Sequence, residues 1–487
     1  MFDDARKRWW ALYVLCSGVL MIVLDTTIVN VALPSIRDDL GFSQASLAWV
    51  VNAYLLTFGG FLLLGGRLGD LFGHRRLFLI GLTIFTAASL ACGLSTSQGM
   101  LVASRAIQGV GGAIVSVVVL SLLMIMFTEP AERAKAMGTV GFVLSGGGTA
   151  GVLLGGILTD ILSWHWIFLV NIPIGIAVFV ACLYLLPQDQ QAEQRPRLDI
   201  AGAVTVTLSL LLAVYAIVNG NEEGWTSGQT LGFLGAALAL IVSFLVIESR
   251  VADPLVPLRL FKHRNLSVAN GVGILMPAAM FGWFFFSALY LQLILGYSPL
   301  EVGLAFLPST LVWGASSLWL SDKLIMRLGI KTPMLIGFSL FVIGLLLYAR
   351  VPVDGNYFMD VFPGMIIMGF AGGITFNPIL LAAMGDVEPT EAGLASGIVN
   401  TSFMMGGALG LAILAAAAAS RTDSLVASGD SQLDALIGGY HLAFMLGALF
   451  AAAAAVLAAA LLKPQPMQAH AGAEGMGEPA AASGQAD

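Results

Sequence analysis

The feature that most constrains this chain is an apolar stretch of about 20 residues, long enough for a helix to cross a ~30 Å hydrocarbon layer. It recurs from residue 9 to residue 463. Lipid offers no partners for backbone N–H and C=O groups, so such segments must be helices or a closed barrel. Barrel strands alternate polar and apolar residues over about ten positions, and runs such as 444–462 do not alternate. The pattern therefore predicts an all-α polytopic membrane protein. Only 10% of the 487 residues are charged and 58% are hydrophobic, against about 25% charged in a soluble domain.

Fourteen spans are expected, at about 9–34, 47–66, 77–95, 99–127, 137–160, 166–186, 199–219, 229–248, 266–296, 301–320, 333–350, 358–383, 392–419 and 441–463. Lys and Arg in the loops set the orientation. With the N-terminus in the cytoplasm, the inner segments collect Arg6, Lys7, Arg8, Arg75, Arg76, Lys323, Arg327 and Lys331 among others, while the outer ones hold only Arg37, Arg350 and Arg421. Both termini are then cytoplasmic. The first apolar run is long and interrupted by polar residues before Pro34, which fits an uncleaved span better than a signal peptide. Asp386, Glu388 and Glu391 break the basic trend, but acidic residues suit the start of a helix. The tail 464–487 is rich in Ala, Gly, Gln and Glu and is expected to be disordered.

Several function classes fall away. Cys16, Cys92 and Cys182 lie in separate apolar segments without metal-ligand spacing and read as small core residues. The histidines (His74, His165, His263, His441 and His470) lie in loops, at span edges or in the tail, so no buried Ser–His or His–metal site is visible. Neither an enzyme nor a sensor is expected, and no nucleic-acid partner.

After span 2 comes Gly66-Arg-Leu-Gly-Asp70-Leu-Phe-Gly73-His-Arg75-Arg76, and after span 10 comes Ser321-Asp322-Lys-Leu-Ile-Met-Arg327-Leu-Gly329-Ile-Lys331. Both read as short basic inner loops with a glycine turn. The echo divides the chain into an N-terminal segment 1–8, a six-helix bundle 9–186, a linker 187–265 carrying two inserted helices, a second six-helix bundle 266–463 and the tail. Paired repeats around a midplane site are the usual build of a secondary transporter.

Two charges lie deep inside the spans. Counting about 1.5 Å per residue, Asp25 lies roughly 13 Å and Arg105 about 9 Å from the outer ends of spans 1 and 4, so the two could meet. A buried ion costs several kcal/mol and needs a partner or a cavity. Burial favours the protonated acid and a nearby cation favours the carboxylate, so a balanced site can take up and release a proton. Gln108, one turn from Arg105, could join it. The alternatives are an Asp25 held by Thr26, Thr27 or Asn30 and an Arg105 snorkelling to the headgroups.

Gly147, Gly151 and Gly155, with Gly156, give span 5 a face that another backbone can approach closely, either as plain packing or as a hinge. Met280 and Phe284 in span 9, with Phe403 and Met404 in span 13, could line an adaptable apolar cavity. Asn30, Asn377 and Asn400 are candidate polar contacts to substrate, since an amide in lipid needs partners.

The residues resemble the major facilitator superfamily, in particular its 14-helix drug:proton antiporter branch. The stretch 66–76 looks like the signature between helices 2 and 3, and Arg105-Ala-Ile-Gln108-Gly109 like that of helix 4. Leu24-Asp25-Thr-Thr-Ile-Val-Asn30-Val-Ala-Leu-Pro34 is similar to the branch's helix 1 motif. Trp164-His-Trp166-Ile-Phe-Leu-Val-Asn171-Ile-Pro173 and Leu291-Gln-Leu-Ile-Leu-Gly296-Tyr-Ser-Pro299 look like further markers. Val152 stands where the exporter pattern has proline, Phe403 and Met404 where many relatives have Arg and Gln, and His165 where Arg is usual.

The resemblance implies a proton-coupled exporter of amphipathic or cationic organic compounds in a bacterial cytoplasmic membrane. Arg105 would serve proton transfer. Gly66, Asp70, Gly73, Arg75 and Arg76 would form a gating loop that latches the halves shut, with Asp70 near the start of helix 13 beside Glu391. No cofactor is implied beyond the proton gradient. The partners would be a small-molecule substrate, protons and lipid, with a monomer or a periplasmic adaptor complex as the assembly. The competing expectation is a dedicated exporter or importer of one metabolite on the same fold.

Overall fold

A computed structural model describes residues 5–127, 129–186, 199–385, 387–388 and 391–463, and among them every regular element is a helix. The tail expected to be disordered lies outside the described residues. Fourteen helical segments are long and apolar enough to cross a bilayer, and the chain is an integral multi-pass membrane protein.

Helices α1 (Ala5–Leu40), α2 (Trp49–Phe72), α3 (His74–Gly93), α4 (Gln98–Met126), α5 (Pro130–Ile161) and α6 (Asn171–Leu185) pack on one another. Helices α7 (Ile200–Glu223) and α8 (Gly228–Arg250) form a hairpin whose first arm rests on α2 and α13. A second group follows: α9 (Arg264–Leu289), α10 (Pro299–Ala315), α11 (Lys331–Tyr348), α12 (Phe362–Met384), α13 (Ala392–Ala427) and α14 (Gln432–Leu461).

Two expectations about boundaries are corrected. The stretches 66–72 and 321–328, read as loops for their charges, are helical. The turns are short, Gly73 alone in the first and Gly329 with Ile330 in the second, and each glycine has a positive φ, 89° and 72°, a conformation that favours glycine. Helix α1 also runs through Pro34 to Leu40, and α13 through Arg421 to Ala427. A helix need not stop where the hydrocarbon does, because its backbone bonds stay satisfied, and an internal proline removes only one N–H.

The two groups of helices meet along α2–α13 and α5–α10. If α1–α6 align on α9–α14, α2 matches α10 and α5 matches α13, so these are one contact related by exchange of the groups. On the side opposite the termini, Gln292 Nε2 donates to Val31 O (2.8 Å). There α5 also approaches α10 so closely that a Cβ on Gly156 would lie 2.6 Å from Pro299 O.

Candidate functional site

Helix α1 carries Asp25 into the first group, and α4 presents Arg105 and Gln108 to it. Helix α4 lies deep between α2 and α3: a Cβ on Gly109 would sit 2.5 Å from Tyr54 O. That approach delivers the α4 side chains to α1, and both charges are sealed from solvent, Asp25 at 0% exposure and Arg105 at 1%.

The two form an ion pair, Arg105 Nη1 donating to Asp25 Oδ2 at 2.5 Å. The same nitrogen donates to Gln108 Oε1 (2.6 Å), and Arg105 Nε donates to Val50 O (3.0 Å). Asp25 Oδ1 accepts from Gln108 Nε2 (2.7 Å) and from Asn171 Nδ2 (3.2 Å). Gln108 and Asn171 also donate to Ser89 Oγ, at 2.8 and 3.4 Å. The guanidinium lies over the Tyr54 ring (4.4 Å) and near Phe168 (5.6 Å), and Cys92 Sγ donates to Gln108 Oε1 (3.7 Å). Helices α4 and α6 thus bond directly to the carboxyl group that α1 carries, and Ser89 of α3 accepts from two of its donors.

Thr26, Thr27 and Asn30 do not hold Asp25. Each donates to carbonyls of its own helix, Thr26 and Thr27 to Val23 O and Asn30 to Thr26 O and Thr27 O. Nor does Arg105 reach towards headgroups. What the sequence reading passed over is Ser89, Tyr54 and Asn171. Asn171 stands within a quoted motif, and its amide in an apolar run was the available signal.

The arrangement suits proton exchange. As a carboxylate, Asp25 is matched by one cation and two amide donors. Once protonated it no longer needs Arg105, which keeps Gln108 Oε1, Val50 O and the Tyr54 face. Protonation would leave Arg105 hydrogen-bonded but without its counter-charge, so the charge state of Asp25 is tied to the position of the base.

The second group differs at the equivalent place. There Trp283 packs on Tyr348 (6.2 Å) and Phe306 (5.7 Å), and Tyr348 on Phe444 (5.2 Å). These groups are aromatic, and among the described residues of the second group no charged side chain is buried.

The remaining candidates disperse. Gly147, Gly151 and Gly155 seat α1: a Cβ would lie 3.0 Å from Leu20 Cδ1, 3.1 Å from Leu24 O and 2.7 Å from Ile28 O respectively, whereas Gly156 faces α10. Helix α5 is continuous through this stretch. Gly66 rests on Val117 of α4. Arg75 donates to Leu183 O of α6 (2.7 Å), within its own half, and Arg76 is exposed. The side chain of Asp70 lies outside the described residues. Glu391, its expected neighbour, is paired with Arg259 from the segment before α9.

Among the substrate candidates, Phe403 stands edge-on between Phe281 (6.2 Å) and Phe376 (5.5 Å). Met404 meets Gly59 of α2 across the halves, and Asn400 is half-buried beside it on the same helix. Asn377 donates weakly to Ser317 O (3.4 Å). Met280 is buried, and Phe284 stacks on Phe306 (5.6 Å). Asn30, bonded within α1, is the candidate least free to meet a ligand.

Residues 15–411 match the family model described as Major Facilitator Superfamily. The chain is 38% identical over 451 residues to a puromycin resistance protein of Streptomyces alboniger, covering 91% of this chain and 89% of that protein. It is 37% identical over 449 residues to a cephamycin export protein of Amycolatopsis lactamdurans (92% and 91% covered). A multidrug resistance protein of Mycobacterium tuberculosis is 34% identical over 398 residues (82% and 73% covered). Among solved structures, an inward-facing, unoccupied bacterial homologue of the human lysosomal transporter Spinster superposes with a TM-score of 0.68 at 15% identity, covering 94% of this chain and 97% of that one. It shares the fold.

Proposed function

The chain belongs to the Major Facilitator Superfamily, and from that membership we propose that it is a proton-coupled antiporter carrying amphipathic or cationic organic compounds out of the cell by alternating access. The observation that carries the reading is the sealed Asp25–Arg105 pair with its amide donors Gln108 and Asn171. Relatives concerned with antibiotic resistance and export support the substrate class and direction.

Protonation of Asp25 removes the charge that ties α1 to Arg105. Two residues on, Thr27 packs against Gly151 of α5, so a shift of α1 reaches the helix that meets α10 in the other half. The residues 9–186 and 266–463 would rock as two bodies, and the end of α2 from Gly66 to Arg76 would close the cytoplasmic side. Each state must bind proton and substrate with different affinity. One proton entering the cell supplies about 2.3 kcal/mol per 100 mV of membrane potential. Substrate would bind between the halves, near Phe403, Met404 and Asn400, with both termini in the cytoplasm of a bacterial cell.

The test is efflux of puromycin and of a cationic dye from cells lacking their own pumps. Wild type should lower accumulation, and a protonophore or Asp25→Asn should restore it. Efflux surviving both treatments overturns proton coupling. A second reading, a dedicated exporter of one compound, is favoured by relatives whose names each specify a single antibiotic; a compound panel in which only one substance is expelled would select it.

A further inference from the structure

The inserted hairpin holds two carboxyl groups for which the coupling network has no use. Asp199 caps the start of α7 and Glu248 lies in the last turn of α8. Their exposures are 4% and 3%. Each commits one oxygen to a backbone donor: Gly202 N–H to Asp199 Oδ1 (2.7 Å) and Val256 N–H to Glu248 Oε2 (3.1 Å). The other two oxygens, Asp199 Oδ2 and Glu248 Oε1, are buried and receive no hydrogen bond among the described residues. They are aimed at one spot. A Cβ on Gly202 would run into Asp199 Oδ2 and lie 3.0 Å from Glu248 Oε1, so glycine there leaves the space between them open.

Two carboxyl groups set around one buried spot bring like charges together away from water, and burial and the neighbouring charge each oppose a second charge there. Neither forms an ion pair among the described residues. We propose that Asp199 and Glu248 bind one proton between them, the O–H of one acid donating to the free oxygen of the other, as a second proton site outside both bundles. A single proton satisfies both orphan oxygens and removes one of the two charges.

The site has a mechanical output. The connection from α8 to α9 is fastened at Glu248 through Val256 N–H, and Leu255 packs with Leu64 of α2 and Ala203 of α7. Further along, Arg259 pairs with Glu391 at the start of α13. This strap links α2 to α13, the helices that touch across the halves. Loss of the shared proton sets like charges beneath it and loosens the link as pH rises. Other charged groups on the elements packed here are Arg250, Asp253, Arg259 and Glu391. Arg67 and Asp70 on α2 have side chains outside the described residues, as do Arg195 and Arg197 before α7. None of the described ones donates to either free oxygen.

The experiment uses the full chain in lipid nanodiscs with Asp25→Asn, which removes the other sealed carboxyl, and reads the infrared stretch of protonated carboxyl groups. A band present at neutral pH should titrate away as one proton per protein and be missing when Glu248→Gln or Asp199→Asn is added. Absence of the band, its indifference to both substitutions, or its displacement by tightly bound sodium or magnesium would overturn the proposal. A second readout follows the strap. Val256→Cys should label with an impermeant maleimide several-fold faster, relative to the same cysteine in a Glu248→Gln background, as pH rises, because the amide permanently mimics the protonated partner. An unchanging ratio would equally refute the clasp. Either failure leaves the role of Asp25 untouched.

Discussion

Replacing Asn171 with leucine separates the coupling account from a merely structural network. Asn171 gives Asp25 its weaker amide bond, at 3.2 Å, and its own Oδ1 is buried with no hydrogen-bond partner among the described residues. Leucine therefore removes one donor while relieving an unsatisfied acceptor, and folded stability should change by less than about 1 kcal/mol. A hydrogen bond to a charged group contributes about 1.5–3 kcal/mol, and the long distance argues for the low end. That bond favours the carboxylate over the acid, so losing about 1.4 kcal/mol makes the acid form tenfold easier to keep. The pH at which substrate-evoked proton movement is half-maximal should rise by about one unit. Proteoliposomes with an entrapped pH indicator, scanned over pH with and without substrate, read this directly. An unmoved midpoint in a variant that still transports, or a midpoint moved to lower pH, would refute the reasoning.

Other perturbations follow from the same geometry. Arg105→Met leaves the Asp25 carboxylate without its cation and should abolish coupled transport while costing about 3–5 kcal/mol unless the acid stays protonated; thermal melting at acid and neutral pH would show the difference narrowing in acid. Gly155→Val pushes a side chain onto Ile28 O and Cγ1 of α1 and should lose about 1–3 kcal/mol by overpacking, seen as a lower Tm and slowed efflux. Gln292→Ala deletes the bond to Val31 O, worth about 1 kcal/mol, and should raise the population open on the side opposite the termini about fivefold, as spin-label distances would report. Phe403→Ala opens the aromatic contact with Phe281 and Phe376 and should narrow or shift the range of compounds expelled, measured as changed resistance across a panel.

The buried pair was legible in the sequence because charge inside an apolar run is rare and costly, and matching depths on two spans made a meeting geometrically open. Ser89 and Asn171 were not, since Ser and Asn in a helix can satisfy themselves on the preceding turn, as Asn30 and Asn270 do. Asn171 turns to the carboxyl of α1, while Ser89 donates to Phe85 O on its own preceding turn and accepts from Gln108 and Asn171, contacts that only the packing of α3 on α4 and α6 shows. The end of α2 and the stretch 321–328 were misread for a related reason. Their charges mark where the bilayer stops, which is not where the helix stops. Asp199 and Glu248 stand at the ends of the expected spans 199–219 and 229–248, and nothing local in the sequence says that a hairpin folds them onto the same glycine.

The most direct trial is a count of protons released when substrate is added to purified, unbuffered protein. Wild type should release protons in proportion to bound substrate, and Asp25→Asn should bind the compound yet release none. Equal release from both proteins would mean that the carboxyl beside Arg105 is not the group exchanged for cargo.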